Sequence, residues 1–335
     1  MNAPAAPSLR HRSKRPSAAQ KGSKIAPLET EEIAPEASEF SRRKVDWVNT
    51  LFIGGAHLMA VWAVLHMCLV QFSWWTLGLG LVYMGACSVS ITGGYHRLFS
   101  HPTYKAIAPL RLFYLLFGAA SVQNSALKWS SDHRIHHTKT DTKDDPYNIL
   151  EGFWWAHLGW VLFKDPSDKD GLVESRVKDL NADPLIRFQH RWYIPLAGLM
   201  GLVVPFLLGL TWGDPWGAVL VAGFLRLVIQ WHATFSVNSV AHYIGSRPYC
   251  LKGTARDSFI TALITLGEGY HNFHHRFQSD YRNGVRWHHF DPTKWWVFAL
   301  SKIGVCRDLK RVPKEAIERA RQAVLAETRS TQLSS

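Results

Sequence analysis

Acidic residues are missing where the sequence is most apolar. Four runs, at about 50–72, 74–93, 193–212 and 216–237, contain no Asp or Glu and a single basic residue, Arg226. Each is near the ~20 residues that carry a helix across ~30 Å of hydrocarbon. The lack of intramembrane carboxylates weighs against a histidine-rich metal transporter, whose ion path needs them. Cysteine is scarce, with residues 68, 87, 250 and 306 and no C-x-x-C spacing. That excludes a disulfide framework and a ferredoxin cluster, and reduced thiols are expected. No dinucleotide fingerprint is present either. Residues 1–48 lack the apolar core of a secretory signal. Their first 45 residues read as a disordered basic arm, whose Arg10, Arg12, Lys14, Arg15, Lys21 and Lys24 suit anionic lipid headgroups.

Charge is plentiful but one-sided. The chain has 38 Lys and Arg against 26 Asp and Glu, a formal net charge of +12. All the basic residues except Arg226 fall in 1–48, 94–192 and 236–335, and none lies in the short connectors at 71–74 and 212–216. The four runs therefore pair as two hairpins. The positive-inside rule then puts both termini and the long middle segment on the cytoplasmic side. Trp74, Trp75, Trp192, Trp212, Trp216 and Trp231 sit toward the run ends, as an interfacial belt would. This distribution marks a multi-pass membrane protein and argues against a nucleic-acid partner.

Two shorter apolar stretches, 107–127 and 151–163, are expected to be interfacial helices, the first lying parallel to the membrane and the second with its aromatic face against the bilayer or the core. Arg226 is expected to face the bundle interior or to snorkel. The expected fold is an all-α integral membrane protein with four transmembrane helices and a cytosolic helical cap. Its domain would run over 46–307, followed by a charged helix and tail over 308–335.

What the chain does have is histidine. His133, His136 and His137 stand at i, i+3 and i+4, as do His271, His274 and His275, so each box shares one helical face. Asn238 and His242 repeat the i, i+4 relation. His96 and His101 are five apart, which predicts a break in the helix at the membrane exit. Imidazole suits zinc, copper, iron and nickel, and nine such residues suffice for two ions. Asp132, beside His133, and Glu268, three before His271, are candidate carboxylates to orient the rings. Met84 lies three turns before His96 on the second run, where a bulky side chain could close the far end of a cavity leading from the histidines.

The boxes occur within longer motifs: T-G-G-Y-H-R-L-F-S-H, Q-N-S-A-L-K-W-S-S-D-H-R-I-H-H, D-D-P-Y-N, N-S-V-A-H and G-E-G-Y-H-N-F-H-H-R-F-Q-S-D-Y-R. Over about 45–305 the chain resembles the membrane fatty acyl desaturases of the stearoyl-CoA desaturase type. The resemblance implies a di-iron (Fe2+) centre on His96, His101, His133, His136, His137, His242, His271, His274 and His275. Asn238 would complete the shell through a water. It also implies O2-dependent insertion of a cis double bond into a long-chain acyl-CoA or acyl-lipid, by family default at delta-9. Asn124, Trp129 and Arg134 match positions lining the acyl and headgroup entrance. Electrons would come from a separate ferredoxin- or cytochrome-type donor with its reductase. Two departures stand out: Gln278 where the family often has Pro, and His232 where it commonly has Asn. His232 is read as a packing or tunnel residue, not a tenth ligand. A lipid hydroxylase built on the same boxes is the nearest alternative.

Overall fold

The computed structural model describes residues 43–164 and 172–334, so the arm expected over 1–45 lies outside the described residues except at its end. Helices dominate. α1 (Trp47–Val70) and α2 (Trp74–Ser100) form a first hairpin of apolar helices long enough to cross a membrane. α3 (Ala108–Ala120), α4 (Ala126–Lys139) and α5 (Pro184–Arg191) follow. α6 (Tyr193–Leu210) and α7 (Pro215–Tyr243) make the second such hairpin. α8 (His271–Arg276), α9 (Pro292–Lys302) and α10 (Lys314–Ser334) complete the cap. Two short antiparallel pairs stitch distant segments together. β1 (Lys44–Val45) lies against β3 (Phe163–Lys164), and β2 (Lys105–Ala106) against β4 (Cys306–Arg307).

Side-chain oxygens set the helix starts. Asp46, Ser73, Ser125 and Asp214 each accept a backbone N–H from the first turn of α1, α2, α4 and α7. Asp214 does more. Its carboxylate accepts from Thr76 Oγ1 at 2.6 Å and contacts His66 Nε2 at 3.1 Å, while Trp212 Nε1 donates to Thr76. The two hairpins are thereby joined at the end of the bundle farthest from the cap.

At the cap end the helices run further than hydropathy suggests, α2 to Ser100 and α7 to Tyr243. These last turns carry His96, Asn238 and His242. They remain helical because protein covers them, a shield that a hydropathy reading cannot register.

α3 takes up Ala108–Ala120 of the stretch expected to be an interfacial helix, and its C-terminal turn is buried between α2, α6 and α7. Ala120 packs with Tyr83, Cys87 and Ala222. Two reciprocal contacts lock α3 onto α2. A Cβ at Gly118 would stand 2.3 Å from the Tyr95 ring, and one at Gly94 would stand 2.6 Å from Tyr114 Cβ. Only glycine permits that approach.

The same insertion identifies the partner of Arg226. Its guanidinium donates to Ala120 O at 3.0 Å, the exposed carbonyl end of α3, and to Gln230 Oε1 at 3.1 Å. Gln230 and Trp231 add bonds to Ser121. A cation at a helix C-terminus meets the negative end of the helix dipole, so the buried charge and the buried helix end satisfy one another. Arg111, the other charge near this region, pairs with Asp183 at the start of α5.

The 151–163 segment is helical over its middle. Leu158, Trp160 and Leu162 pack with Ile53, Trp231 and Phe235 of α1 and α7. α10 is largely exposed, but Ile317 and Ala320 pack with Tyr249 and Phe273 against the back of α8.

Candidate metal centre

Four helices bring nine imidazoles together as two groups. His96, His101, His133, His137 and His274 form one, and His136, His242, His271 and His275 the other. Within each, ring nitrogens lie within 4.8 Å of one another. The boxes are not assigned one per group. α4 gives the i, i+4 pair His133 and His137 to the first group and His136 to the second. α8 does the reverse, giving His271 and His275 to the second and His274 to the first. The cause is the 100° step per residue: i and i+4 are offset by about 40°, whereas i+3 points to the other side of the pair. A single helix can thus serve two neighbouring sites.

His96 and His101 reach the same group without the expected break. The last part of α2, Ser90–Ser100, is wound with wider i→i+5 hydrogen bonds, and His101 N donates to His96 O at 3.1 Å. Residues five apart then share a face. Such wide turns recur at functional sites.

The rings are oriented from behind. Glu268 Oε2 lies 2.8 Å from His96 Nδ1, and Asp145 lies 2.9 and 3.0 Å from His136 Nδ1. Burial would raise the Glu268 pKa, but His96 and Arg97 outweigh it and hold the carboxyl at about 2. Glu268 is therefore a pure acceptor, and His96 must place its proton on Nδ1. Arg97 extends the network by donating to Glu268, Asp291 and Tyr281 O. Asn283 also donates to Glu268, at 2.6 Å. For His101, His133, His137, His271, His274 and His275, burial and neighbouring imidazoles push the pKa well below the ordinary imidazole range. These rings are neutral at physiological pH.

With Nδ1–H held from behind by a carboxylate, His96 and His136 turn bare Nε2 lone pairs toward the centre. The Nε2 atoms of His96 and His274 are 3.0 Å apart, those of His101 and His133 2.8 Å, and those of His271 and His275 3.0 Å. Nitrogens about 2.1 Å from a shared ion stand about 3 Å apart in adjacent positions. His242 Nε2 is buried without a hydrogen-bond partner among the described residues. Both observations fit a cation in each group.

The remaining candidates fall in different places. Asp132 pairs with Lys128 at 2.7 Å, at the edge of the helical face that carries the clustered rings. Asn238, at the end of the regular turns of α7, is half-buried, and its side chain makes no hydrogen bond to a described residue. Trp129 stacks on His133 at 4.8 Å. Arg134 is engaged in the frame, donating to Phe99 O, Ser100 O, Arg176 O and both oxygens of Asp179. Asn124 lines an open depression of about 350 Å³ with Lys128, His190, Arg191 and Tyr193. Met84 is half-buried on α2, and Ser88 Oγ lies 3.7 Å from its sulfur.

His232 belongs to neither group. It bridges His57 and His157 at 3.0 Å each, and His157 continues to Ser239 Oγ at 2.8 Å.

Spacing did not reveal Arg97, Asp141, Asp145, Thr254, Asn283 or Asp291. Two of them carried a signal: Arg97 follows a box histidine directly, and Asp145 lies in the D-D-P-Y-N motif.

Comparison with known proteins places this geometry. A family model described as fatty acid desaturase matches residues 72–304. The chain is 44% identical over 278 residues to the probable acyl-CoA desaturase of Schizosaccharomyces pombe, covering 83% of this chain and 57% of that protein. It is 36% identical over 275 residues to the stearoyl-CoA desaturase of Homo sapiens, covering 81% and 76%. To the acyl-CoA Delta(11) desaturase of Spodoptera littoralis it is 34% identical over 294 residues, 85% of each. The chain spans little more than half the length of the yeast relative.

Proposed function

Because the chain belongs to the fatty acid desaturase family, we propose that it inserts a cis double bond into a long-chain acyl-CoA at a di-iron centre. The observation that carries this reading is the pair of converging histidine groups. His96, His101, His133, His137 and His274 would hold one ion. His136, His242, His271 and His275 would hold the other, with Asn238 beside it through a water. Imidazole donors suit iron, and iron with O2 supplies the oxidant that an unactivated methylene C–H bond requires.

The chain's own residues hold and shield that chemistry. Glu268 and Asp145 fix ring tautomers, Arg97 neutralises Glu268, and the cap excludes water from buried Nε2 atoms. Overall, CH2–CH2 with O2, two electrons and two protons gives CH=CH and two waters. The electrons come from a separate ferredoxin- or cytochrome-type protein with its reductase, steered by the basic face of the cap. Turnover that ignores ionic strength would exclude that steering. The active site and both termini face the cytoplasm, as the one-sided charge supports. The double bond is placed at delta-9, although one relative is named for delta-11.

A host that makes no unsaturated chains tests the proposal. A monoene made by the wild-type protein and lost in the His136→Ala, His274→Ala variant is expected, with its position read by mass spectrometry. Hydroxylated chains would replace desaturation with hydroxylation as the activity. No new product, with iron and a working donor present, would overturn it.

A further inference from the structure

His242 is oriented differently from its neighbours. Among the described residues no carboxylate touches its Nδ1; the contact is Thr254 Oγ1, at 2.7 Å. Thr254 is itself held by Asp141, whose Oδ1 accepts the hydroxyl at 2.6 Å and whose Oδ2 accepts the Thr254 backbone N–H at 2.8 Å. A hydroxyl has one proton. With that proton committed to Asp141, Thr254 Oγ1 can only accept from the imidazole. His242 therefore carries its proton on Nδ1 and turns a bare Nε2 inward, where it is buried and unpartnered.

The backbone is shaped for this contact. Asp141 lies at the turn just after α4 with φ +62°, a conformation that few residues other than glycine adopt. Its own N–H donates to Asp145 Oδ2 at 3.2 Å. Gly253, at φ +83°, brings the loop close, since a Cβ there would stand 3.2 Å from Asp141 Oδ2. Asp145 orients His136, and Asp141 orients His242 through Thr254. Both rings belong to the second histidine group.

We propose that Asp141 and Thr254 are a positioning relay for the second metal site, transmitting a carboxylate's hold on His242 through a hydroxyl. This rests on the reading that the two histidine groups bind metal. The relay fixes the ring of a residue on α7 from a turn after α4 and a loop before α8, so it sets the second site without touching the first.

The test titrates the purified full chain in detergent with ferrous iron, and with cobalt(II) as a spectroscopic probe. Wild type should take two ions. Thr254→Val keeps the shape and removes the hydroxyl; it should weaken one ion about 10- to 100-fold, a usual loss when a ring's outer partner is removed. Its cobalt spectrum should then resemble that of His136→Ala, which damages the second site, and not that of His133→Ala. Thr254→Ser should restore two-ion binding. The relay is overturned if Thr254→Val binds both ions as wild type does, if it loses both together, or if Thr254→Ser fails to restore the second. A wild-type protein that takes up no ion would instead overturn the metal reading itself, and the relay with it.

Discussion

Glu268 is the contact through which two kinds of residue meet, an imidazole facing the centre and a guanidinium facing the frame. Replacing it with Ala leaves His96 Nδ1 without its acceptor and strips Arg97 of one of two carboxylates. Removing one partner of a buried ion pair costs about 3–5 kcal/mol. Glu268→Ala is expected to lower the melting temperature and to weaken iron about 10- to 100-fold, which thermal denaturation and metal titration will show. Asp257 gives a pH signature. Its carboxylate accepts Phe273 N–H at 3.0 Å in the first turn of α8, and burial raises its pKa from 3.8 to about 7. A raised folded-state pKa means that this residue's contribution is fully present below about pH 4 and is lost as pH rises through 7. Asp257→Asn keeps an acceptor but cannot ionise. Its melting temperature relative to wild type should therefore rise between pH 4 and pH 7, and an unchanged difference would refute the assignment. At this scale the histidines were legible because their helical spacing is local. Asp141, Asp145 and Thr254 were not, because what makes them matter is a turn or loop folding back on a ring from another element.

Among the elements, α2 carries the most unusual geometry, since its final turns change pitch to bring His96 and His101 to one face. Sequence spacing showed that a regular helix could not do this. It did not show that the helix would widen instead of breaking, because that depends on the cap enclosing every residue from Ser90 to Ser100. The close packing of α3 on α2 was not legible for a related reason. Its length and Arg111 suit a surface helix, yet Gly94 and Gly118 allow α2 and α3 to approach until Tyr95 and Tyr114 interlock. Gly118→Ala should force Tyr95 aside, at about 1–3 kcal/mol for an overpacked core. Tyr95 precedes His96, so the same variant should also weaken iron binding. A melting temperature and iron affinity equal to those of wild type would show that the contact is slack.

On the scale of the whole molecule, the two ends of the bundle have separate tasks. The cap end gathers the histidines, and the far end is fastened by Asp214. Thr76 and His96 are 20 residues apart on α2, about 30 Å along a helix. Asp214→Ala leaves buried donors from α1, α2 and α7 without their acceptor, each worth about 1–3 kcal/mol. It should lower the melting temperature while leaving iron stoichiometry intact in the folded protein; loss of iron below the unfolding transition would contradict this division. The four-span plan was legible because hydropathy and charge placement are properties of the entire chain.

Arg226 ties that plan to the order in which the chain is made. An arginine near the middle of a span costs about 2.5–3.5 kcal/mol on the translocon insertion scale. Its acceptor on α3, Ala120 O, is synthesised roughly a hundred residues earlier, so it is waiting when α7 leaves the ribosome. Synthesis from the N-terminus thus delivers the carbonyl end before the cation that needs it. A circularly permuted chain that made α7 first would have to hold Arg226 in lipid until α3 arrived.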